Sequence, residues 1–336
     1  MLLRLFFVSL FCLPTALVAA RAKNSNMNGS VEGGFVLASP PRDSRWLIDM
    51  LEWNQRFDAS DRVRFVFNNW ASLQSPSAAP SDNNSSRYFS HLQFTNAGFT
   101  LANAGAYLEV RATDAVSVSV GHFQAPFGIE SLDSRYDSAV YFYSGTYTRA
   151  QNNQWIWNLG AQIEISRILP GKLSVSLVDG RITGTTQPTP SLIAQYGFNI
   201  ETSSVSFSPQ ASLYLGKLDG GIRDIGVSAG FELAMGALNL TGEFLSAQRD
   251  GAPYGSTTTD STSIYVQPSV DFGIVEVGAK AEWLSQTSLS DFNVGVAVTK
   301  RFHDKLRVRV LYQAAGLTGN IRPGNHDVRL LVGTHW

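Results

Sequence analysis

Arginines recur at two-residue spacing in stretches that otherwise alternate apolar and polar. Arg307 and Arg309 do so in "KLRVRVLY" and Arg62 and Arg64 in "RVRFVF", with Arg329 in the closing "VRLLVGTHW". In an extended chain this spacing puts both guanidinium groups on one face, opposite Leu306, Val308, Val310 and Tyr312 in the first stretch. The chemistry they offer is electrostatic. Glu109 with Arg111, Glu164, Glu232 and Glu243 share the inward parity elsewhere. A basic wall facing acidic groups would set up a transverse field that orients charged or dipolar solutes. The plainer reading is that such charges pair and keep an interior wet, and the residue pattern leaves both open.

Residues for bond-making chemistry are scarce. "GVSAG" (226–230) matches G-x-S-x-G, but a nucleophile elbow needs strand, sharp turn and helix. Ser228 instead sits inside an alternating run between Val227 and Ala229, so no nucleophile is expected there. His122 shares its parity with Val116, Val118 and Val120, which reads as an interfacial histidine. Five scattered histidines and one cysteine, Cys12, leave no metal-ligand cluster. No glycine-rich phosphate loop occurs in a strand–helix context. No catalytic residue, metal or cofactor is therefore expected. A net charge of -1 speaks against a general nucleic-acid partner.

The elements that must position these residues are strands. The opening "MLLRLFFVSLFCLPTALVAA" carries Arg4, an apolar run, and Val18 and Ala20 before a cut after Ala20. It reads as a secretory signal over 1–20, and Cys12 would leave with it. Roughly 316 residues then remain. Only 16% of residues are charged, glycine is frequent at 29, and no later stretch suits a membrane-spanning helix. Period-two alternation runs through nearly all the rest. In "QWIWNLGAQIEI", Trp155, Trp157, Leu159, Ala161, Ile163 and Ile165 point one way, and Gln154, Asn158, Gly160, Gln162 and Glu164 the other.

Segments of roughly 9 to 13 residues suit tilted membrane strands better than soluble ones, which average about 5 to 6. Short connections at 58–61, 113–114, 167–171, 272–273 and 303–304 alternate with long polar ones at 74–97, 125–153, 182–191, 249–259 and 316–325. That is the habit of outer-membrane barrels. The rhythm predicts an all-β, transmembrane antiparallel β-barrel over 30–336 after a short segment 21–29. Sixteen strands are expected, with fourteen as the alternative; the eighth covers 192–207 and the ninth 210–217, split at Pro209. Trp70, Trp155, Trp157, Trp283 and Tyr312 fall near the outer rim, and Trp53, Phe302 and Trp336 near the periplasmic rim. Two aromatic belts would be placed so.

The segment "AGAYLEVRATDAVSVSVGHFQAPFGIE" (104–130) resembles a stretch of the phosphate-selective (O/P-type) porin family. In that family an "AY" strand, a tight turn and a strand ending in a "GQFKxPFG"-like motif lead into a long loop. "VSFSPQASLYLGK" (205–217) is similar to its later strand–Pro–strand segment. His122 stands where the family has Gln, and Gln124 replaces its Lys. The specific match covers about a tenth of the chain. The resemblance implies a water-filled sixteen-stranded channel, usually a homotrimer, with the third loop folded into the lumen. Glu130, Asp133, Arg135, Asp137 and Arg149 would then line the constriction, with Tyr136, Tyr141, Tyr143 and Tyr147 packing it. Pro126–Gly128 would set the bend where the strand leaves the wall.

The expectation is an outer-membrane porin for passive diffusion of small hydrophilic solutes or ions, anions among them. Its partners would be outer-membrane lipid and the barrel-assembly machinery. An outer-membrane hydrolase would need a convergent Ser/His/Asp set, and a secreted β-sandwich or adhesin would need polar outer faces. In the last strand Val328, Leu330, Val332, Thr334 and Trp336 form an outward face, with Arg329 and His335 opposite. A final strand ending on an aromatic resembles the assembly signal of bacterial outer-membrane proteins, and it must pair with the first strand to close the wall.

Overall fold

The computed structural model describes residues 24–38, 45–74, 93–96, 99–129, 140, 157–167, 170–179, 190–217, 223–249, 259–286, 289–302, 305–315, 317 and 325–336. Its elements are all strands: β1 (Asn24–Ala38), β2 (Arg45–Asp58), β3 (Val63–Gln74), β4 (Gln93–Asn96), β5 (Phe99–Arg111), β6 (Val116–Gln124), β7 (Trp157–Ser166), β8 (Lys172–Val178) and β9 (Ser191–Gly197). There follow β10 (Ile200–Glu201), β11 (Val205–Lys217), β12 (Arg223–Met235), β13 (Leu238–Arg249), β14 (Thr259–Asp271), β15 (Val275–Gln286), β16 (Leu289–Phe302), β17 (Leu306–Ala315) and β18 (Asn325–His335).

Sixteen of these form a closed wall. Each pairs antiparallel with the wall strand before and after it, and β1 meets β18 from Ser30–His335 to Ala38–Asp327. The short β4 pairs only with β5, and the two-residue β10 only with β11. Closure gives each wall strand a neighbour on both sides, which a membrane span requires. Sixteen strands, not fourteen, complete the ring.

Alternation sets the two faces. Outward on β17 and β18 stand Leu306, Val310, Tyr312, Val328, Leu330 and Val332, all exposed, while Arg307, Arg309, Leu311, Arg329 and Leu331 point inward and are buried. The same division runs around the ring, with Ile163, Leu177, Leu213, Val227, Phe244, Ile264 and Trp283 exposed on the outside. An apolar outer band over a polar interior is the lipid-facing arrangement of a transmembrane barrel.

One end of the ring carries Asn24, Trp336 and the short connections 59–62, 112–115, 167–171, 198–204, 236–237, 272–274 and 303–305. Local side chains fold these turns. Ser60 Oγ accepts from Val63 N at 3.1 Å, Thr113 Oγ1 from Val116 N at 3.0 Å, and Asp271 Oδ1 from Gly273 N at 2.7 Å. The opposite end carries the longest connections, 75–98 and 125–156.

Two boundaries differ from the sequence expectation. The first strand begins at Asn24, before the expected 30, and Asn24–Asn28 pair with β2 alone. The eighth and ninth strands do not divide at Pro209. The turn lies at 198–204, and β11 runs unbroken through Pro209, which pairs with Phe231. The Pro209 carbonyl accepts from Phe198 N at 3.2 Å, so its nitrogen faces the side where β9 has already ended at Gly197. No ladder bond is lost there, and proline is tolerated. In the turn itself Thr202 Oγ1 accepts from Val205 N at 3.0 Å.

Candidate functional site

The candidate site is the lumen where the third long connection enters it. After Gln124 the chain leaves the wall, and Ala125, Phe127 and Ile129 are buried inside the barrel. They do not stand out into solvent above it. Phe127 meets the Tyr214 ring edge-on at 6.4 Å, within a cluster formed by Phe123, Val178, Ile193, Leu245 and Tyr265 from the lumen side of five strands. These side chains form a packed apolar cluster among buried polar groups such as Ser176, Ser212 and Ser263.

Polar contacts tie the strap down. Gly128 N donates to Ser212 Oγ of β11 at 3.1 Å, and Gln195 Nε2 of β9 donates to Gly128 O at 3.4 Å. Ile129 N donates to Glu243 Oε1 of β13 at 2.8 Å. The Glu243 carboxylate is held in turn by the Ser228 hydroxyl of β12 and by Tyr265 OH of β14 at 3.0 Å. Gly128 makes the bend: its φ is +78°, and a Cβ there would lie 2.6 Å from Glu243 Oε1. Only glycine combines that dihedral with so close an approach. Gly230 of the G-x-S-x-G match has a similar role, since a Cβ on it would sit 2.7 Å from Ile129 Cδ1. Further along the same connection Val140 is buried against Ala297 of β16 and Leu311 of β17. The loop therefore touches the wall along one arc, β9–β14, and again, past β15, along a second at β16–β17.

The second arc adjoins the arginines. Arg307 Nη2 lies 2.9 Å and its Nε 3.0 Å from Glu32 Oε1, and Arg309 Nη1 lies 3.7 Å from Glu32 Oε2. Gly333 of β18 stands between Glu32 and Arg307 in the ladder, so the guanidinium crosses β18 without meeting a side chain. Arg309 Nε also donates to Thr299 Oγ1 at 3.2 Å. Arg329 holds Asp327 through two contacts of 3.1 Å, and Arg301 reaches Asp271 at 2.6 Å and Glu276 at 2.8 Å. The basic arc is thus matched by carboxylates on its own and neighbouring strands. Buried charges without such partners would carry a desolvation cost of several kcal/mol each, about what the pairing must offset.

The expected residues separate into groups. Arg307, Arg309 and Arg329 face the lumen together. Arg64 faces it on the other side of the seam, bound to Asp58 at 2.7 Å and 3.7 Å from Glu109. Arg62 does not: it is exposed in the turn before β3, where its carbonyl accepts from Arg111 N. The strand starts one residue later than the alternation suggested, because Ser60 caps the turn. Glu164 pairs with Lys172 at 2.7 Å. Glu130, Asp133, Arg135, Asp137 and Arg149 lie outside the described residues. Trp336 closes the seam: its N donates to Gly29 O at 2.9 Å and its O accepts from Gly29 N at 3.2 Å.

Glu32, Gln195 and Ser212 were not singled out by sequence. Gln195 and Ser212 are inward-parity residues in "SLIAQYG" and "QASLYLGK", but only the ring brings them to the loop. Glu32 sits among glycines in "SVEGGF", beside a register shift at Glu32/Gly33, which blurs its parity.

No protein-family model matches the sequence, and no curated protein sequence matches it. Solved structures match in fold. The chain superposes on an anion-selective porin from Comamonas acidovorans with a TM-score of 0.64 at 11% identity, over 93% of this chain and 99% of that one. An OmpF structure from Salmonella typhi in complex with daunomycin gives 0.61 at 10% identity, over 94% and 99%. The outer membrane protein OpdK from Pseudomonas aeruginosa gives 0.54 at 10%, over 94% and 99%. At these identities the likeness is one of fold, an outer-membrane barrel of the porin kind.

Proposed function

We propose that the chain is an outer-membrane porin, a water-filled channel through which small hydrophilic solutes diffuse passively, without bond chemistry. The observation that carries this reading is the inward docking of residues 125–129 on the Glu243 arc of a closed sixteen-strand ring. A loop so held narrows the lumen, and the polar, charge-paired side chains of β16–β18 and β1 would border the opening that remains. The short-turn end then faces the periplasm, as in other outer-membrane barrels. Glu130, Asp133, Arg135, Asp137 and Arg149, on the same connection, would border the opening.

Phosphate selectivity of the O/P type is not included. Gln124 replaces the lysine of that family's motif, and Arg307 and Arg309 share Glu32. Paired arginines give weak ion selectivity, because fixed charges of both signs lie within a few ångströms and their fields cancel at longer range. The test is planar-bilayer recording of the purified protein under a salt gradient. Stepwise ohmic conductance with a reversal potential near zero is expected. Absence of channels, or cleavage of peptide or phospholipid as the main activity, would overturn the proposal.

A further inference from the structure

Outward positions near the short-turn end of β15–β18 are apolar apart from Thr334 and one charge. Lys300 of β16 is exposed on the outer face, flanked along its strand by Val298 and Phe302 and across it by Val275 of β15 and Val308 of β17. It lies two residues from the end of β16, a rise of about 7 Å. Its Nζ sits 5.0 Å from the Phe302 ring centroid, so the side chain points toward the rim. Phe302 pairs with Leu306, and Trp336 is exposed at the same rim. On the other side the 272–274 turn presents Phe272 and Ile274, which are 67% and 68% exposed. Ile274 is joined to the same strand, its carbonyl accepting from Arg301 N at 2.8 Å.

A lysine in a lipid-facing position keeps its charge by extending its stem along apolar surface until the ammonium reaches the headgroups. The carboxylates nearest in the ladder, Asp271 and Glu276, are on the opposite face and bound to Arg301. We propose that Lys300 binds the phosphate of an anionic phospholipid in the periplasmic leaflet, with Phe302 and Leu306 on one side and Phe272 and Ile274 on the other receiving its first methylene groups. A headgroup of net charge minus one neutralises the site, whereas a zwitterionic one brings its own cation. The inference rests on the membrane-barrel reading but is independent of what the lumen passes.

The test uses full-length folded protein equilibrated with equal amounts of phosphatidylglycerol and phosphatidylcholine. Retained lipid is counted by native mass spectrometry for wild type, Lys300→Gln and Lys300→Arg. Wild type is expected to retain phosphatidylglycerol about fivefold over phosphatidylcholine, the equivalent of about 1 kcal/mol for one lysine at a membrane surface. Lys300→Gln should remove the preference and Lys300→Arg keep it. Equal retention of both lipids by wild type, or an unchanged preference in Lys300→Gln, would overturn the proposal. So would loss of the preference in Lys300→Arg, which would mark shape and not charge as the cause. Channel conductance in these variants is expected to match wild type, so this result and the transport result are read separately.

Discussion

The strap can be loosened in steps whose sizes follow from its contacts. The charge-assisted hydrogen bond from Ile129 N to Glu243 contributes about 1.5–3 kcal/mol, and that from Gly128 N to Ser212 about 0.5–1.5. Burial of Phe127 and Ile129, each almost wholly enclosed, adds about 1.5–3 kcal/mol apiece. Together these hold residues 125–129 by about 5–10 kcal/mol. Glu243→Ala removes at most about 3 kcal/mol, so the strap stays docked for most of the time. Its single-channel record should keep the wild-type main level and gain brief visits to a larger one. Adding Phe127→Ala takes away a further ~3–5 kcal/mol, most of what is left. The double variant should then show a higher steady conductance in planar bilayers and admit larger neutral polymers. Its fold is checked by heat-modifiable mobility in detergent gels. A correctly folded double variant with wild-type conductance and wild-type size limit would refute the strap as the constriction.

Other expectations concern the bend, the charged arc and the seam. Gly128→Ala forces a side chain into φ +78° and toward Glu243, and should give the same enlarged level with smaller occupancy in single-channel records. Glu32→Gln removes the carboxylate that Arg307 and Arg309 share, so the reversal potential should move toward anions. Arg307→Ala with Arg309→Ala should move it toward cations, and unchanged potentials in both variants would show that this arc does not sense the permeant ion. Breaking a buried pair costs about 3–5 kcal/mol, so Glu32→Gln should also lower the temperature at which the barrel loses its folded gel mobility. Deleting Trp336 removes both hydrogen bonds to Gly29 and should reduce assembled protein in membranes far more than it alters the conductance of barrels that do form.

Much of the wall was legible because strand parity is a local property. "KLRVRVLY" and "VRLLVGTHW" place Arg307, Arg309 and Arg329 inward by alternation alone, and the structure keeps them there. The turn at 198–204 was misread because a proline usually ends a strand, and nothing local reveals that Pro209 faces a strand that has already stopped. The strap's bend was visible in "APFG" and Glu243 read as inward-facing, but that it anchors the strap with Ser212 and Gln195 was not. Ser212, Gln195 and Glu243 are scattered through three strands, and only ring closure with the right register brings them to Gly128 and Ile129. The charge balance was hidden for the same reason. Glu32 and Arg307 are 275 residues apart and meet only across the closing strand.

The most direct test of the account is swelling of proteoliposomes containing the purified protein in a graded series of neutral sugars. Fast swelling with the smallest sugars, falling steeply with size and relaxed to larger sugars in the Glu243→Ala/Phe127→Ala variant, is the predicted result. Proteoliposomes that hold folded barrel yet admit no sugar, in wild type and variant alike, would contradict it.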